Sequence, residues 1–195
     1  MAKTKQAQKK QETRRRMLEA VGRGFRRRGY TGAGVDGLAK DAGVTSGAFY
    51  AHFGSKSGAF REALMAGMSQ LTEAIVAARE RDGDQWLGSF AEFYMGERRT
   101  CELAEGCALQ TLTPEVGRAD EPTRALFREE LLKTVAAFAA GLPDGEGHPD
   151  TDRAWAFLAL LSGGVTLARA VEDPELGERI ARAIQAAVQD LGGVR

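Results

Sequence analysis

Apolar residues recur at spacings of three and four positions along most of the chain, which is the pattern of amphipathic α-helices. The first such stripe is formed by Met17, Leu18, Val21 and Phe25. It predicts a helix over about residues 13–28 that ends at Gly29. Alternation of apolar and polar residues never lasts longer than a few positions. The pattern therefore predicts an all-α protein of about nine helices.

A second, shorter stripe predicts a helix over about residues 35–42, which Gly43 breaks. The helix after it can be capped by Thr45 or Ser46, because a hydroxyl at that position accepts a hydrogen bond from a free backbone N–H. Two short helices joined by a turn of three or four residues that contains glycine form the helix-turn-helix pattern. The first third of the chain is therefore expected to contain a helix-turn-helix.

The later segments also predict helices. A helix capped by Ser55 should run from residue 55 to about residue 80 and link two domains. Further stripes predict helices over about residues 84–98, 103–111, 122–140, 151–171 and 174–191. The segment "TPEVGRADEP" is expected to be a loop with at most one turn. The predicted organisation is a basic N-terminal arm (1–10), a helix-turn-helix domain (11–56) and a second helical domain (57–195).

Charge is distributed unevenly, although the net charge of the 195 residues is zero. Residues 1–60 hold 13 lysines and arginines against four acidic residues, a net charge of +9. The rest of the chain holds 14 basic and 23 acidic residues, a net charge of −9. A block of positive charge raises the local potential and favours a polyanionic partner such as nucleic acid. The alternative is a lysine-rich tail that is only solvated.

Several classes of protein are disfavoured by the composition. No apolar run reaches the length of a membrane span, and the basic N-terminus lacks the apolar segment of a secretory signal. Two cysteines, Cys101 and Cys107, do not make a disulfide framework, so we expect a reducing, cytoplasmic setting. The two histidines, His52 and His148, show no metal-ligand spacing and no nucleophile–base set. We therefore expect no enzyme activity, no metal and no cofactor.

The segment "SGAFYAHFGSK", residues 46–56, places small side chains directly before a group of aromatic ones. In a helix Phe49 and Phe53 share one face, so we expect both to be buried. The small residues of the first turn would lie closest to base edges in the major groove of DNA, while donors further along would reach phosphate oxygens. The expected base-facing residues are Ser46, Gly47 and Ala48, and the expected phosphate-facing residues are Tyr50, His52 and Lys56.

The longer run "VDGLAKDAGVTSGAFYAHFGSK", with the Gly29-Tyr30 pair before it, resembles the DNA-binding domain of the TetR family of bacterial transcriptional regulators. The resemblance covers roughly residues 11–70. It implies that the matching residues lie at a DNA interface, namely Thr45, Gly47, Ala48, Tyr50, His52 and Lys56. Two differences stand out. Ala33 and Gly34 occupy positions where the family usually has threonine or serine, and Ser46 stands where arginine, lysine or threonine is common.

For the remainder of the chain, the resemblance implies a helical ligand-binding and dimerisation domain. It implies a homodimer formed by the last two helices, about residues 151–171 and 174–191, as a four-helix bundle. Ser162, Gly163 and Gly164 would allow close approach of helices. Two-fold symmetry would place two recognition helices about 34–36 Å apart on a pseudo-palindromic operator. The implied function is a dimeric repressor that an unknown small molecule releases from double-stranded operator DNA, with no membrane partner.

The residues that could line a ligand pocket are aromatic side chains of the C-terminal region and one cysteine. The candidates are Trp86, Phe90, Tyr94, Cys107, Phe127 and Trp155. Aromatic residues at helical spacing also make ordinary hydrophobic core, and that alternative stays open. Arg98, Arg99 and Glu102 could anchor a polar group of the ligand.

Cys107 raises the possibility of a second way of sensing. In some TetR-like regulators that respond to electrophiles, a cysteine near this point reacts with oxidants or electrophiles. A reactive thiolate needs a nearby positive charge or a helix N-terminus, and Cys107 is expected in or near the first turn of its helix. The alternative function is therefore a redox- or electrophile-sensing repressor. The competing interpretation is a small buried thiol.

Overall fold

The computed structural model describes the backbone of residues 2–192 and the side chains of residues 11–192. Within this part of the chain there are ten α-helices, two 3₁₀ helices (Gly83–Gln85 and Leu103–Glu105) and no β-strand, which confirms the predicted all-α fold. The α-helices are α1 (Ala2–Gly32), α2 (Val35–Asp41), α3 (Ser46–Phe53), α4 (Lys56–Asp82), α5 (Trp86–Met95), α6 (Glu97–Thr100), α7 (Ala108–Val116), α8 (Glu121–Ala139), α9 (Thr151–Ala170) and α10 (Pro174–Gly192).

The first helix starts earlier than the apolar stripe indicates, because its backbone is already helical at Ala2. Residues 2–10 carry no apolar stripe, but most of them are good helix formers, so the helix extends beyond its packed part. The backbone of the predicted arm is thus continuous with α1, while Met1 and the side chains of residues 2–10 lie outside the described part. Gly29 interrupts the helix with φ 68° and ψ 175°, a conformation that glycine adopts without steric cost.

The helix-turn-helix forms as the local signals predict. Gly43 takes a φ of 67° in the turn between α2 and α3. The hydroxyl of Thr45 caps α3 by accepting a hydrogen bond from the backbone N–H of Ala48 at 3.2 Å. The hydroxyl of Ser55 caps α4 in the same way, accepting from the N–H of Gly58 at 2.9 Å. These caps satisfy free N–H groups and set the first residue of each helix.

The fourth helix connects the two parts of the molecule. Helix α4 packs on α1 and α3 and also on α5, α7 and α8. Leu64, Met68 and Ile75 are fully buried along its inner face. One cluster of buried hydrophobic side chains extends from Met17 in α1 to Val188 in α10. The helix-turn-helix therefore shares a continuous core with the helices that follow it.

The helix predicted over residues 84–98 is divided in the structure. The 3₁₀ helix Gly83–Gln85 precedes α5, and Gly96 ends α5 with φ −91° and ψ −92°. The short helix α6 then changes the direction of the chain. Glycine at position 96 permits this backbone geometry, and the apolar pattern alone does not reveal it.

The prediction of a loop over "TPEVGRADEP" is wrong for the first four residues, because these belong to α7. This helix includes Pro114, which costs about 3 kcal/mol in a helix interior. Leu109, Leu112 and Val116 lie on one face of α7 and are buried. Their burial stabilises the helix by about 1.5–3 kcal/mol per side chain and outweighs the cost of the proline.

None of the helices within residues 2–192 combines the length and the apolar character that crossing a membrane requires.

Candidate functional site

Helix α3 has one anchored face and one open face. Phe49 and Phe53 are buried, and their ring centroids lie 5.0 Å apart. Tyr50, one position after Phe49, leaves half of its surface exposed (50%). The two phenylalanines therefore fix the rotation of α3 about its axis, so that Tyr50 and the first turn of the helix face outward.

The first turn of α3 carries little side-chain bulk. Gly47 is exposed, and a Cβ atom added there would contact only Thr45 Oγ1, at 3.9 Å. Packing within the chain therefore does not require glycine at this position. Ser46 differs from its neighbours, because its hydroxyl donates a hydrogen bond to the carboxylate of Asp36 at 2.6 Å. This bond ties the start of α3 to α2.

Three donors lie further along the same surface. In the described part of the chain no residue forms a hydrogen bond with the hydroxyl of Tyr50 or with the imidazole of His52. His52 is half-buried beside the ring of Phe53. The ammonium of Lys56 lies 4.6 Å from the centroid of the Tyr30 ring, within cation–π distance. All the residues predicted to contact DNA are therefore on α3 or next to its ends, and the Lys56 side chain is held in place by Tyr30.

Two ion pairs hold the elements around α3. Arg28 of α1 pairs with Asp41 at the end of α2 at 2.6 Å. Arg14 of α1 pairs with Glu62 of α4 through both carboxylate oxygens, at 3.0 and 2.8 Å. Pairs this exposed contribute roughly 0–1 kcal/mol each. Their main effect is to fix the orientation of α1 relative to its neighbours.

A cavity of about 190 Å³ lies between the helix-turn-helix part and the C-terminal helices. Its wall includes Arg26 of α1, Leu71 of α4, Phe90 and Tyr94 of α5, and Cys107, which precedes α7. Segments that are distant in sequence thus form one lining.

Two arginines of the cavity are bound to the same short turn. Arg26 Nε donates to the carbonyl of Ala104 at 2.6 Å, and Arg98 Nη1 donates to the carbonyl of Glu105 at 2.9 Å. The guanidinium of Arg98 also lies 5.2 Å from the Phe93 ring centroid. Burial lowers the pKa of Arg26, and the nearby carboxylate of Glu105 opposes that shift. Among the described side chains, no carboxylate is within ion-pair distance of either guanidinium.

Two further ion pairs link α1 to this turn. Arg23 Nε lies 3.9 Å from Glu105 Oε1, and Arg27 Nη2 lies 3.7 Å from Glu102 Oε2. Together with Arg26, the last turns of α1 hold the segment around Leu103–Glu105 through three arginines. A displacement of this turn would therefore be transmitted to α1.

Cys107 and Tyr94 lie side by side in the cavity wall. Cys107 is half-buried and occupies the N-cap position of α7, where its side chain makes no capping hydrogen bond. Tyr94 is buried, and this burial together with the adjacent Cys107 raises the pKa of its phenol well above the ordinary value. The second cysteine, Cys101, lies elsewhere, with its Sγ 3.1 Å from Arg169 Nη2.

Three of the predicted pocket residues do not line this cavity. Trp86 is part of the core, where its indole packs on Phe138 at 5.5 Å and donates to the carbonyl of Gly141 at 3.3 Å. Phe127 is partly buried against the same core, and Trp155 is 38% exposed on α9. Each is on a helix of the right region, but on a face that turns away from the cavity.

Of the three residues predicted to anchor a polar group of the ligand, one lines the cavity and two do not. Arg98 lines the cavity, whereas Arg99 pairs with Glu178 of α10 and donates to the carbonyl of Met95 at 2.7 Å. Glu102 is exposed beside Arg27. The sequence interpretation missed Arg26, since the positive charge of α1 was assigned as a whole to a polyanionic partner. Its position directly after Phe25, which marks the inner face of α1, was the available signal.

Comparisons with known proteins agree with this geometry. Residues 18–63 match the family model described as bacterial regulatory proteins, tetR family. The structure of NemR from Escherichia coli in its reduced form is 20% identical, with a TM-score of 0.78 over 92% of this chain and 96% of that chain. A TetR-family transcriptional regulator from Cytophaga hutchinsonii is 16% identical, with a TM-score of 0.76 over 92% of this chain and 94% of that chain.

A third solved structure is that of a transcriptional regulator from Saccharomonospora viridis in complex with choline. It is 19% identical, with a TM-score of 0.74 over 92% of this chain and 96% of that chain. At these identities the structural similarity establishes a common fold. No curated protein sequence matches the chain significantly.

Proposed function

We propose that this chain, whose residues 18–63 match the model of the tetR family of bacterial regulatory proteins, is a dimeric repressor that binds a pseudo-palindromic operator. A small molecule in the cavity releases it from DNA. The observation that carries this proposal is the open face of α3, which bears small residues and hydrogen-bond donors. This face points outward because Phe49 and Phe53 bury the opposite face of the helix. Helix-turn-helix proteins insert this helix into the major groove with its first turn towards the bases.

Each residue of the open face has a role in this proposal. Gly47 and Ala48 let the backbone approach base edges, and the methyl group of Ala48 can contact a thymine methyl. Thr45 already accepts a hydrogen bond in its cap, but its hydroxyl hydrogen remains able to bind a phosphate. Tyr50, His52 and Lys56 donate to phosphates and fix the position along the duplex. Ser46 contributes indirectly, through the bond that ties α3 to Asp36.

The outer face of α9 supports dimerisation. Trp155, Ala159, Gly163 and Leu167 recur every four residues on this face, and all four are exposed, Leu167 to 60%. A Cβ atom at Gly163 would meet no atom within 4 Å, whereas one at Gly164 would lie 2.7 Å from Ile184 Cγ1. Gly164 is therefore required for the packing of α9 on α10. Packing within the chain does not require glycine at position 163. The close approach of a second copy of α9 would explain why a glycine occupies this position.

In this proposal α9 and α10 of both copies form a four-helix bundle. Coiled-coil-like bundles bury apolar stripes between helices, and the stripe on α9 has the spacing that such packing needs. The cavity lies outside this bundle, between α1 and α5, so that ligand binding and dimerisation use different surfaces.

The cavity wall supports a ligand-dependent release of DNA. Helix α4 runs without interruption from Lys56, beside α3, to Leu71 in the cavity, and Arg26 of α1 lines the same space. A ligand that fits the cavity only when α1 and α4 are moved apart favours the conformation that does not bind DNA. Such a ligand shifts the population by its difference in affinity for the two states.

Cys107 supports a second candidate function, that of a redox- or electrophile-sensing repressor. The thiol lies in the cavity wall at the N-terminus of a nine-residue helix, and two guanidinium groups share the cavity. Reactive cysteines in other proteins occupy electropositive sites of this kind. Addition of an electrophile to the sulfur would fill the cavity as a bound ligand does. Thiol labelling of the native protein near neutral pH tests this candidate, with Cys101 as the internal comparison. A lack of labelling at Cys107 would remove it.

The main proposal is tested by titrating labelled duplex DNA from the promoter region of the protein's own gene and measuring fluorescence anisotropy. We expect saturable binding by the dimer that weakens steeply as salt increases, because phosphate contacts release counterions. DNA binding that is absent at low salt, or insensitive to salt, would contradict the proposal.

A further inference from the structure

The cavity holds two cationic groups that lack an anionic partner in the described part of the chain. Arg26 and Arg98 use one N–H each for the carbonyls of Ala104 and Glu105, which leaves further N–H groups of both guanidiniums without a carboxylate. Glu105 also lines the cavity, but its carboxylate lies 3.9 Å from Arg23 Nε and its side chain is largely exposed. A partly buried guanidinium without a counter-ion is unfavourable, and its planar fork of donors matches a carboxylate.

Apart from Gln70, Glu105 and Cys107, the rest of the lining is apolar and includes three aromatic side chains. Phe90 and Tyr94 are stacked, with ring centroids 5.8 Å apart and an interplanar angle of 24°, and Leu71 lines the same cavity. An apolar cavity of about 150 Å³ accommodates a benzene molecule. The cavity here, at about 190 Å³, therefore has room for a single ring with a short polar substituent.

From these observations we infer that the ligand of this cavity is a small aromatic carboxylate. Its anionic group binds Arg26 and Arg98, and its ring packs against Leu71 and the Phe90–Tyr94 pair. This inference rests on the proposed function, which places the effector in this cavity, and it adds the chemical class of that effector. Arg26 and Arg98 together determine the specificity for an anion.

The same contact connects the ligand to the DNA-binding part. Arg26 belongs to α1, and its bond to Ala104 is one of the links between α1 and the turn over residues 103–105. A carboxylate that binds the remaining N–H groups of Arg26 repositions the guanidinium that also holds the Ala104 carbonyl. Binding of the anion therefore alters this link and shifts α1 relative to the turn.

The experiment uses isothermal titration calorimetry on the full chain with five probes. Benzoate, phenylacetate and cinnamate carry the carboxylate on a single ring. Benzamide is a neutral analogue of benzoate, and benzyltrimethylammonium is a cationic control. We expect at least one carboxylate to bind saturably, and benzamide and the cation to bind at least about tenfold more weakly, since bonds between charged groups are the stronger ones.

Variants assign the binding to this cavity. R26Q and R98Q should each weaken carboxylate binding by about tenfold or more while changing benzamide binding little. Ala74→Trp places a large ring at the exposed rim of the cavity and should block the carboxylates without disturbing the core. Ala77→Trp, exposed on the same helix but outside the lining, is the matched control. Thermal unfolding of each variant shows whether it is folded, and Ala74→Trp keeps the test valid if R26Q is not.

The outcomes separate this inference from the proposed function. Equal or tighter binding of benzamide or benzyltrimethylammonium would overturn the anionic class, as would the absence of binding by all three carboxylates at millimolar concentration. Carboxylate binding that is unchanged in Ala74→Trp would also overturn it. If the same protein still binds its promoter DNA, the failure concerns the ligand class alone. If promoter DNA is not bound either, the proposed function fails with it.

Discussion

The open face of α3 and the cavity are both binding surfaces in this account, but they are built in opposite ways. The surface of α3 comes from eight consecutive residues, Ser46–Phe53, with a cap at each end. The cavity draws on side chains between Arg26 and Ala108, which become neighbours only after several helices have packed together. A contiguous surface can be recognised from a short run of sequence, whereas an assembled one requires the tertiary structure.

The two surfaces also differ in how strongly they take part in folding. The outward side chains of α3 make few contacts within the chain, apart from the bond between Ser46 and Asp36. The cavity residues hold the molecule together, since Arg26 binds the Ala104 carbonyl and Tyr94 and Leu71 are buried. Substitutions on α3 should therefore change binding without changing stability, and substitutions in the cavity wall should change both.

The largest effect is expected for Ala48→Glu, which places a carboxylate against base edges and phosphates. Affinity for operator DNA should fall by about a hundredfold or more, because a single unfavourable base-pair contact already costs about 1–3 kcal/mol and charge repulsion adds to it. Fluorescence anisotropy measures the affinity and thermal unfolding the stability. Ala136→Glu, the same change at an exposed position of α8, is the control and should leave DNA binding unchanged.

Leu167→Asp tests whether the outer face of α9 binds a second copy of the chain. The substitution should convert the dimer to a monomer at micromolar concentration, since it places a carboxylate in the apolar seam, and should leave the fold intact. Analytical ultracentrifugation measures the assembly state. Leu132→Asp is the matched control, because Leu132 is similarly exposed (54%) but lies on α8. Equal effects of the two substitutions would refute the proposed dimer face.

Gly67→Ala tests whether a substitution in the cavity wall changes the stability of the fold. A Cβ atom at position 67 would lie 2.4 Å from Ala108 Cβ, where α4 and α7 are in close contact. We expect a loss of about 1–3 kcal/mol in the free energy of unfolding, the usual cost of overpacking. Urea denaturation followed by circular dichroism measures this loss. Unchanged stability would mean that this part of the cavity wall adapts more easily than the structure indicates.

Gly47→Ala makes the same chemical change on α3 and should have the opposite profile. Space for a methyl group exists within the chain, so stability should be unchanged or increase by up to about 1 kcal/mol, the difference in helix propensity. Affinity for operator DNA should fall by about tenfold, a cost of the size found for one poor base contact. Full affinity in this variant would show that the small size of residue 47 serves no DNA contact.

The smallest effect is expected for Lys56→Ala, which removes one phosphate contact from each subunit. Binding to specific and non-specific DNA should weaken alike, and the slope of log affinity against log salt should decrease by about one for each subunit. Anisotropy titrations at several salt concentrations on both kinds of DNA measure this. A change in sequence preference at unchanged salt dependence would assign Lys56 a different role.

The same contrast explains what could be predicted from the sequence. The start of α3, at Thr45 or Ser46, and the cap of α4 by Ser55 could be predicted, because turn and cap residues act locally. The N-terminal extension of α1 carried no apolar stripe. The helical conformation around Pro114 depends on the burial of one face of α7. The apolar spacing alone does not show that this burial outweighs the cost of a proline.

The cavity shows more clearly where prediction from the sequence ends. Phe90 and Tyr94 line it and Trp86 does not, although all three lie on α5 at spacings of four residues. A rotation of less than a helical turn decides which of them faces the cavity and which faces Phe138 in α8. That rotation is set by the neighbouring helices, so the type of residue could be predicted and its partners could not.

Hydroxyl-radical footprinting of the protein's own promoter DNA tests whether the open face of α3 enters the major groove. We expect two protected regions related by two-fold symmetry, with centres about 34–36 Å or a multiple of that distance apart. Protection should disappear with Ala48→Glu and persist with Ala136→Glu. Protection that survives Ala48→Glu unchanged, or the lack of any protected region at low salt, would contradict this placement of α3.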